Sequence, residues 1–272
     1  MNESLKRLLS GVVYVALLLI ATSYSVTSFY ILFGIFMLIT IYEFCQLVSL
    51  NIIFPLLFGA LTYCFSTQFK TTQTNDVLLL LATLFVSVKC LHLLFFLKKE
   101  AIDTLSKYIY VIGYVIFPFI LITKIPFGKH GYNPQIIISI FILIWTNDTF
   151  AYIIGSKIGK TPLYPKISPK KTWEGTVGGA ICCGLAAVLL SKFLIGKDSH
   201  ALGWFEYLMV GFIIGVFGTI GDLIESMFKR NAGIKDSGSF MPGHGGFLDR
   251  FDAFIFVIPM VFFYIIILRW WV

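Results

Sequence analysis

Residues Phe141–Lys160 read FILIWTNDTFAYIIGSKIGK. An apolar run long enough to cross a bilayer carries a carboxylate, Asp148, well inside it. A membrane helix needs about 20 predominantly apolar residues. An ionised acid at its centre costs at least about 2.5–3.5 kcal/mol on insertion scales. Such a residue persists where it faces a cavity, a partner or a metal; a buried acid–lysine pair that only joins helices is the structural alternative. The whole chain supports the membrane reading. Its 272 residues are 58% hydrophobic and 13% charged, with a mean hydropathy of +0.88, where a soluble domain carries about 25% charged residues. A soluble core cannot hide that much apolar surface, which argues against an ordinary globular enzyme.

Outward from this run, eight further apolar stretches lie at about 8–24, 28–48, 50–69, 77–97, 106–125, 177–196, 204–228 and 251–271. The expectation is an all-α, polytopic integral membrane protein of about nine transmembrane helices. Only LVSLN separates the second and third, so those two form either a tight hairpin or one re-entrant unit. The basic start MNESLKR resembles a signal peptide but leads to no clear cleavage site, and the first run reads as a retained span. The five cysteines show neither zinc nor disulfide-framework spacing and read as small buried hydrophobes. With nine crossings and a cytoplasmic N-terminus, fourteen of the 21 Lys and Arg residues fall inside and six outside, the bias that sets membrane orientation. The same alternation puts the polar loops 157–176 and 229–250 together in the cytoplasm and the C-terminus outside. The net charge of +7 is then a membrane feature, and no basic block alternates with aromatic platforms as nucleic-acid binding would require. Residues 1–130 read as N-terminal membrane helices and 131–272 as the catalytic region.

Acids gather in that second part. In GTIGDLIESMFKR, residues 218–230, helical spacing puts Asp222, Glu225, Ser226 and Lys229 on one face. The stretch KDSGSFMPGHGGFLDRFDAFIF, Lys235 to Phe256, adds Asp236, Asp249 and Asp252. Its Gly243, Gly245 and Gly246 permit left-handed angles or close approach to a ligand, and backbone N–H groups there could meet phosphate. Acids beside phosphate repel it; a divalent cation with hard oxygen ligands, Mg²⁺ above all, resolves the conflict. The loop KIGKTPLYPKISPKKTWEG carries five lysines, stiffened by Pro162, Pro165 and Pro169. A membrane-surface anchor is its plain reading. Pro169 suggests a helix start, where adjacent Lys170 and Lys171 would lie about 100° apart and play unequal roles. One would bind triphosphate oxygen and the other orient the loop through Glu174 or hold lipid phosphate. Acids, metal and lysines at a lipid–water boundary point to phosphoryl or nucleotidyl transfer on a lipid head group.

The segment SMFKRNAGIKDSGSFMPGHGGFLDRFD, Ser226 to Asp252, resembles the signature of the phosphatidate cytidylyltransferase (CDP-diglyceride synthase) family. The matching positions are Ser226, Lys229, Arg230, Lys235, Asp236, Pro242, Gly243, His244, Gly245, Gly246, Asp249, Arg250 and Asp252. The run NDTFAYIIGSKIGKTPLYPKISPKKTWEG resembles a second block of that family through Asp148, Lys160, Lys170, Lys171, Thr172 and Glu174, among others. The resemblance implies transfer of CMP from CTP to phosphatidate, giving CDP-diacylglycerol and pyrophosphate, in a bacterial inner membrane or a eukaryotic membrane. It implies Mg²⁺, in a two-metal centre on Asp222 and Asp249 with Asp148 and Asp252 close by. Lys170, Lys171, Lys229, Arg230, Lys235, Gly245, Gly246 and Arg250 would bind the phosphates. His244 would position phosphate, protonate the leaving group, or serve only the turn. A second copy of the chain is a candidate partner. Transfer to another lipid phosphate, and an ion-coupled transporter built on Asp148, Asp222 and Glu225, are the alternatives. A transporter would show inverted repeats, whereas these ionisable groups crowd into one half.

Overall fold

A computed structural model describes residues 3–69, 71–96, 102–128, 131–193, 203–238, 240 and 245–271. All nine apolar runs are helical: α1 (Glu3–Tyr24), α2 (Val26–Leu47), α3 (Ile53–Gln68), α4 (Gln73–Phe96), a composite of α5 (Thr104–Tyr110), a π-helical turn (Val111–Ile116) and α6 (Phe117–Ile122), then α7 (Pro134–Ile158), α8 (Trp173–Phe193), α9 (Trp204–Asn231) and α10 (Asp252–Trp271). Short antiparallel ladders join β1 (Phe127–Gly128) to β2 (Gly131–Tyr132), and β3 (Pro162–Tyr164) to β4 (Ser168–Thr172).

The expected count of about nine transmembrane helices does not hold. Six helices among the described residues are long and apolar enough to cross: α2, α4, the α5–α6 composite, α7, α8 and α9. The apolar parts of α1, α3 and α10, Leu9–Tyr24, Ile53–Gln68 and Asp252–Leu268, are shorter. The third run shows why. A turn at Ser49, φ 53°, precedes it, and the Asn51 side chain accepts the Ile53 N–H at 2.9 Å, so its first residues stay outside the helix. The 16 residues left in α3 reach about 24 Å, short of a hydrocarbon core of about 30 Å. Six candidate spans, an even number, do not put the termini on opposite sides. The chain is nonetheless all-α and multi-pass. Of the five free cysteines, Cys45, Cys90 and Cys183 are buried as expected, whereas Cys64 is exposed.

Helices α7 to α10 pack in sequence order, and small residues let them approach. A Cβ on Gly215 of α9 would lie 2.6 Å from Ala180 Cα of α8, and one on Gly221 would lie 2.7 Å from the carbonyl oxygen of Asp252. Small residues at such crossings are how membrane helices gain close contact without a hydrophobic driving force. The contact at Gly221 brings the first turn of α10 against the acid face of α9. Phe251, just before α10, is fully buried. Its ring lies 5.4 Å from those of Phe36 and Phe119 and 5.0 Å from those of Phe247 and Phe254. These aromatic contacts pin the segment carrying Asp249 and Asp252 to α2 and α6.

Candidate active site

On α9, Asp222, Glu225, Ser226 and Lys229 project from one face, as the helical spacing requires. Asp252 meets them from α10. One carboxylate oxygen each of Asp222, Glu225 and Asp252 lie within 4.8 Å of one another. Glu225 is 1% exposed, and its Oε1 has no hydrogen-bond partner among the described residues. Like charges this close resist joint ionisation unless cations join them. Two ammonium groups do. Lys171 forms an ion pair with Asp222 and also donates to the Thr219 carbonyl at 3.4 Å. Lys229 bridges Glu225 Oε2 at 2.6 Å and Asp249 Oδ1 at 2.7 Å. Ser226 Oγ donates to Asp222 Oδ1 at 3.3 Å. Asp148, exposed on α7, interacts electrostatically with Asp222, Lys171 and Arg250, and Asp252 with Asp222, Asp148 and Lys171. The group thus holds five acids against three basic side chains. That excess of negative charge, the oxygen-only donor set and the unpartnered Glu225 oxygen fit a hard divalent cation.

Asp249 sits differently. Its Oδ2 accepts the Gly246 N–H at 2.8 Å and the Ser237 N–H at 3.1 Å, while Oδ1 holds Lys229. Burial opposes its ionisation, but the neighbouring Glu225 and Lys229 side chains, the Lys229 charge and the Gly246 N–H prevail and hold its carboxyl below the usual range. The loop around it is secured by a residue from the other end of the chain. Glu43 of α2, 3% exposed, accepts the N–H groups of Phe247 at 2.9 Å and Leu248 at 2.7 Å, and the Ser237 hydroxyl at 3.2 Å. A Cβ on Gly246 would fall 1.9 Å from Ser237 Oγ and 2.8 Å from Glu43 Oε2, so only glycine fits. The sequence reading has the Gly245–Gly246 backbone receive phosphate; in this structure Gly246 points elsewhere. Its N–H is committed to Asp249, and those of the next two residues to Glu43. His244, Pro242 and Gly243 lie outside the described residues.

The lysine loop is a β-hairpin, where Pro169 had suggested a helix start. Strand β4 contains both Lys170 and Lys171, and a strand sends successive side chains to opposite faces. Lys171 enters the acid cluster and Lys170 is exposed. Glu174 accepts the Thr161 N–H at 3.1 Å and so closes the hairpin. Tyr164 OH donates to the Leu94 carbonyl at 2.9 Å, and Arg230 Nε to that of Ile167 at 3.5 Å, docking the hairpin on α4 and α9. Lys235 and Arg250 are exposed. The loops on either side of α8 and α9 are thus in contact at one end of the bundle.

The resemblance assigns no role to Glu43 and leaves Glu225 out of its metal ligands, although helical spacing puts Glu225 on the acid face. A lone acid in the apolar run of α2 was the one available signal for Glu43. The profile of the cytidylyltransferase family matches residues 5–268. Proteins named phosphatidate cytidylyltransferase from Staphylococcus epidermidis and Staphylococcus haemolyticus are 48% identical to this chain over 121 residues, and one from Staphylococcus aureus is 46% identical over the same length. Each match covers 44% of this chain and 45% of the relative, so the chain aligns with just under half the length of these relatives.

Proposed function

We propose that this chain, which belongs to the cytidylyltransferase family, transfers the CMP moiety of CTP to phosphatidate, giving CDP-diacylglycerol and pyrophosphate. The observation that carries the reading is the convergence of Asp222, Glu225 and Asp252 with Lys171 and Lys229. It lies at one end of a membrane bundle, in a chain whose relatives bear the name phosphatidate cytidylyltransferase. The chemistry belongs to residues 131–272, with Glu43 as the contribution of residues 1–130.

A phosphate oxygen of phosphatidate attacks the α-phosphorus of CTP, and the bond from that phosphorus to the β-phosphate oxygen breaks. The nucleophile is already an anion, so the obstacle is charge repulsion rather than proton removal. Asp222, Glu225 and Asp252 would hold Mg²⁺, which when bound supplies positive charge to the phosphate oxygens. A second ion would compete with Lys229 for Glu225 and Asp249. Lys171, freed from Asp222, neutralises triphosphate oxygen, and Arg250 at the rim adds charge. Lys170 and Lys235, both exposed, steer the nucleotide. Asp148, exposed on α7 and interacting with Asp222 and Lys171, would stand beside the Mg²⁺ as a further acid. The test is CDP-lipid formation by purified protein with labelled CTP and a panel of lipid phosphates. We expect product from phosphatidate, none after chelation, and recovery with Mg²⁺. No product from any lipid phosphate would sink the assignment, and full turnover in chelator would remove the metal.

The site's loops face the cytoplasm in this reading, in a bacterial inner membrane. The two loops and the helix ends bordering them carry nine of the 21 Lys and Arg residues, as the positive-inside rule favours. Three candidate spans separate Thr72 from the β3–β4 hairpin. In a background without native cysteines, Thr72→Cys should react with an impermeant thiol reagent in intact cells and Pro165→Cys should not; the opposite pattern reverses the orientation.

A further inference from the structure

A cleft of about 450 Å³ opens where the C-terminal end of α2, the start of α5 and the end of α9 meet. Gln46, Ser49, Lys107 and Asn231 line it, with Phe228 and Ser237 forming part of the wall. Among the described residues, none of the first four side chains makes a hydrogen bond or ion pair within the chain. Two amides, a hydroxyl and an ammonium therefore line one concave space, three of them exposed to solvent, and can exchange water for a ligand. The size and the mixture of apolar wall with a few polar groups are those of a small-molecule subsite.

The cleft shares a wall with the chemistry. Ser237 donates its N–H to Asp249 and its hydroxyl to Glu43. Asp249 holds Lys229, and Lys229 holds Glu225 of the acid cluster. Phe228, another wall residue, directly precedes Lys229. Three short contacts thus lead from the cleft to the acids where the α-phosphorus would react.

We propose that this cleft reads the cytosine base of CTP, an inference that rests on the cytidylyl-transfer reading above. Cytosine presents an amino donor and, at N3 and O2, two acceptors; uracil presents a donor at N3. Gln46 and Asn231 each offer a donor and an acceptor, and can satisfy the amino group and the ring edge together. Lys107 donates only. An ammonium facing N3 bonds cytosine and meets the N–H of uracil head-on, so Lys107 sets the preference between the two pyrimidines. A polar subsite of this kind discriminates through the groups a wrong ligand leaves unpaired. A base seated against Ser237 also steadies the loop that holds Asp249, which couples nucleotide recognition to assembly of the site.

The experiment uses the full-length protein in lipid nanodiscs, with Gln46→Ala, Lys107→Met and Asn231→Ala. We expect the CTP KM to rise about tenfold in the first and third, the effect of one lost hydrogen bond near its upper range. The phosphatidate KM and kcat should stay unchanged, as for a contact made equally in ground and transition states. Lys107→Met should lower the preference for CTP over UTP. Unchanged CTP KM and unchanged CTP-over-UTP preference in all three variants overturn the proposal. A change confined to the phosphatidate KM also overturns it, because the cleft then serves the lipid. Should the parent chain make no CDP-lipid at all, the functional reading falls, and calorimetry with CMP and UMP decides the cleft separately. A CMP preference lost in the variants sustains it, and equal or absent binding rejects it.

Discussion

Glu43 and Glu225 are both glutamates buried in apolar helices, at 3% and 1% exposure, and their surroundings are opposite. Glu43 is surrounded by donors: two backbone N–H groups and a hydroxyl. Glu225 faces two more carboxylates, keeps one oxygen without a partner and relies on Lys229 for countercharge. A buried acid saturated by backbone N–H groups is a structural clamp, because its charge organises groups the fold must satisfy anyway. Buried acids that face one another cost stability until a cation arrives, and they persist where that cation serves chemistry. The difference separates the part of the molecule that shapes the site from the part that reacts.

Neutralising each kind of acid tests this contrast. Asp222→Asn or Asp252→Asn should lower turnover by about a thousandfold, comparable to losing a major electrostatic contact with the transition state. The thermal midpoint in detergent should hold or rise, since repulsion is relieved. A modest rate loss, or a clear fall in the midpoint, would break the comparison at its reactive end. Glu43→Ala should do the reverse in stability. It leaves the Phe247 and Leu248 N–H groups buried without partners, at about 1–3 kcal/mol each, and the midpoint should drop with activity. Glu43→Gln, which keeps an acceptor, should recover part of both; a stabilised Glu43→Gln would show that Glu43 is no clamp.

Acid titration probes the loop between the two regions. The Asp249 carboxyl is held below its ordinary value in the folded chain, so it contributes stability that is present above its unfolded value of about 3.9 and is lost as pH falls through the folded one. Unfolding midpoints measured from neutral pH downward should fall below about pH 4, and Asp249→Asn should flatten that decline. An identical decline in the variant would remove Asp249 from the stabilising network. The smallest effect belongs to the exposed neighbour of Lys171. Lys170→Ala should change kcat by less than about twofold and raise the CTP KM only slightly, as for a screened surface charge, whereas Lys171→Ala should lower kcat by about a hundredfold. Equal losses at the two lysines would mean that strand alternation does not decide their roles.

Much of this was legible along the chain. The nine helical runs stand where hydropathy placed them, and the shared face of Asp222, Glu225, Ser226 and Lys229 follows from spacing alone. Both are local properties: apolar composition commits a segment to lipid or core, and 3.6 residues per turn fixes which side chains share a face. The number of spans was not legible, because composition does not say which apolar residues become the turn before α3. Nor could spacing assign Asp249, whose partners Lys229 and Ser237 lie 20 and 12 residues away, or say which of two adjacent lysines turns inward before the hairpin forms. Glu43 marks the limit most clearly. It bonds groups 194 to 205 residues further along the chain, and only the packing of α2 and its phenylalanines against Phe247 and Phe251 brings that carboxylate to the loop. Periodicity acts over a few turns of one helix and is written in the sequence. Partnership between distant polar groups is settled when the apolar surfaces carrying them pack, and it exists only in the folded chain.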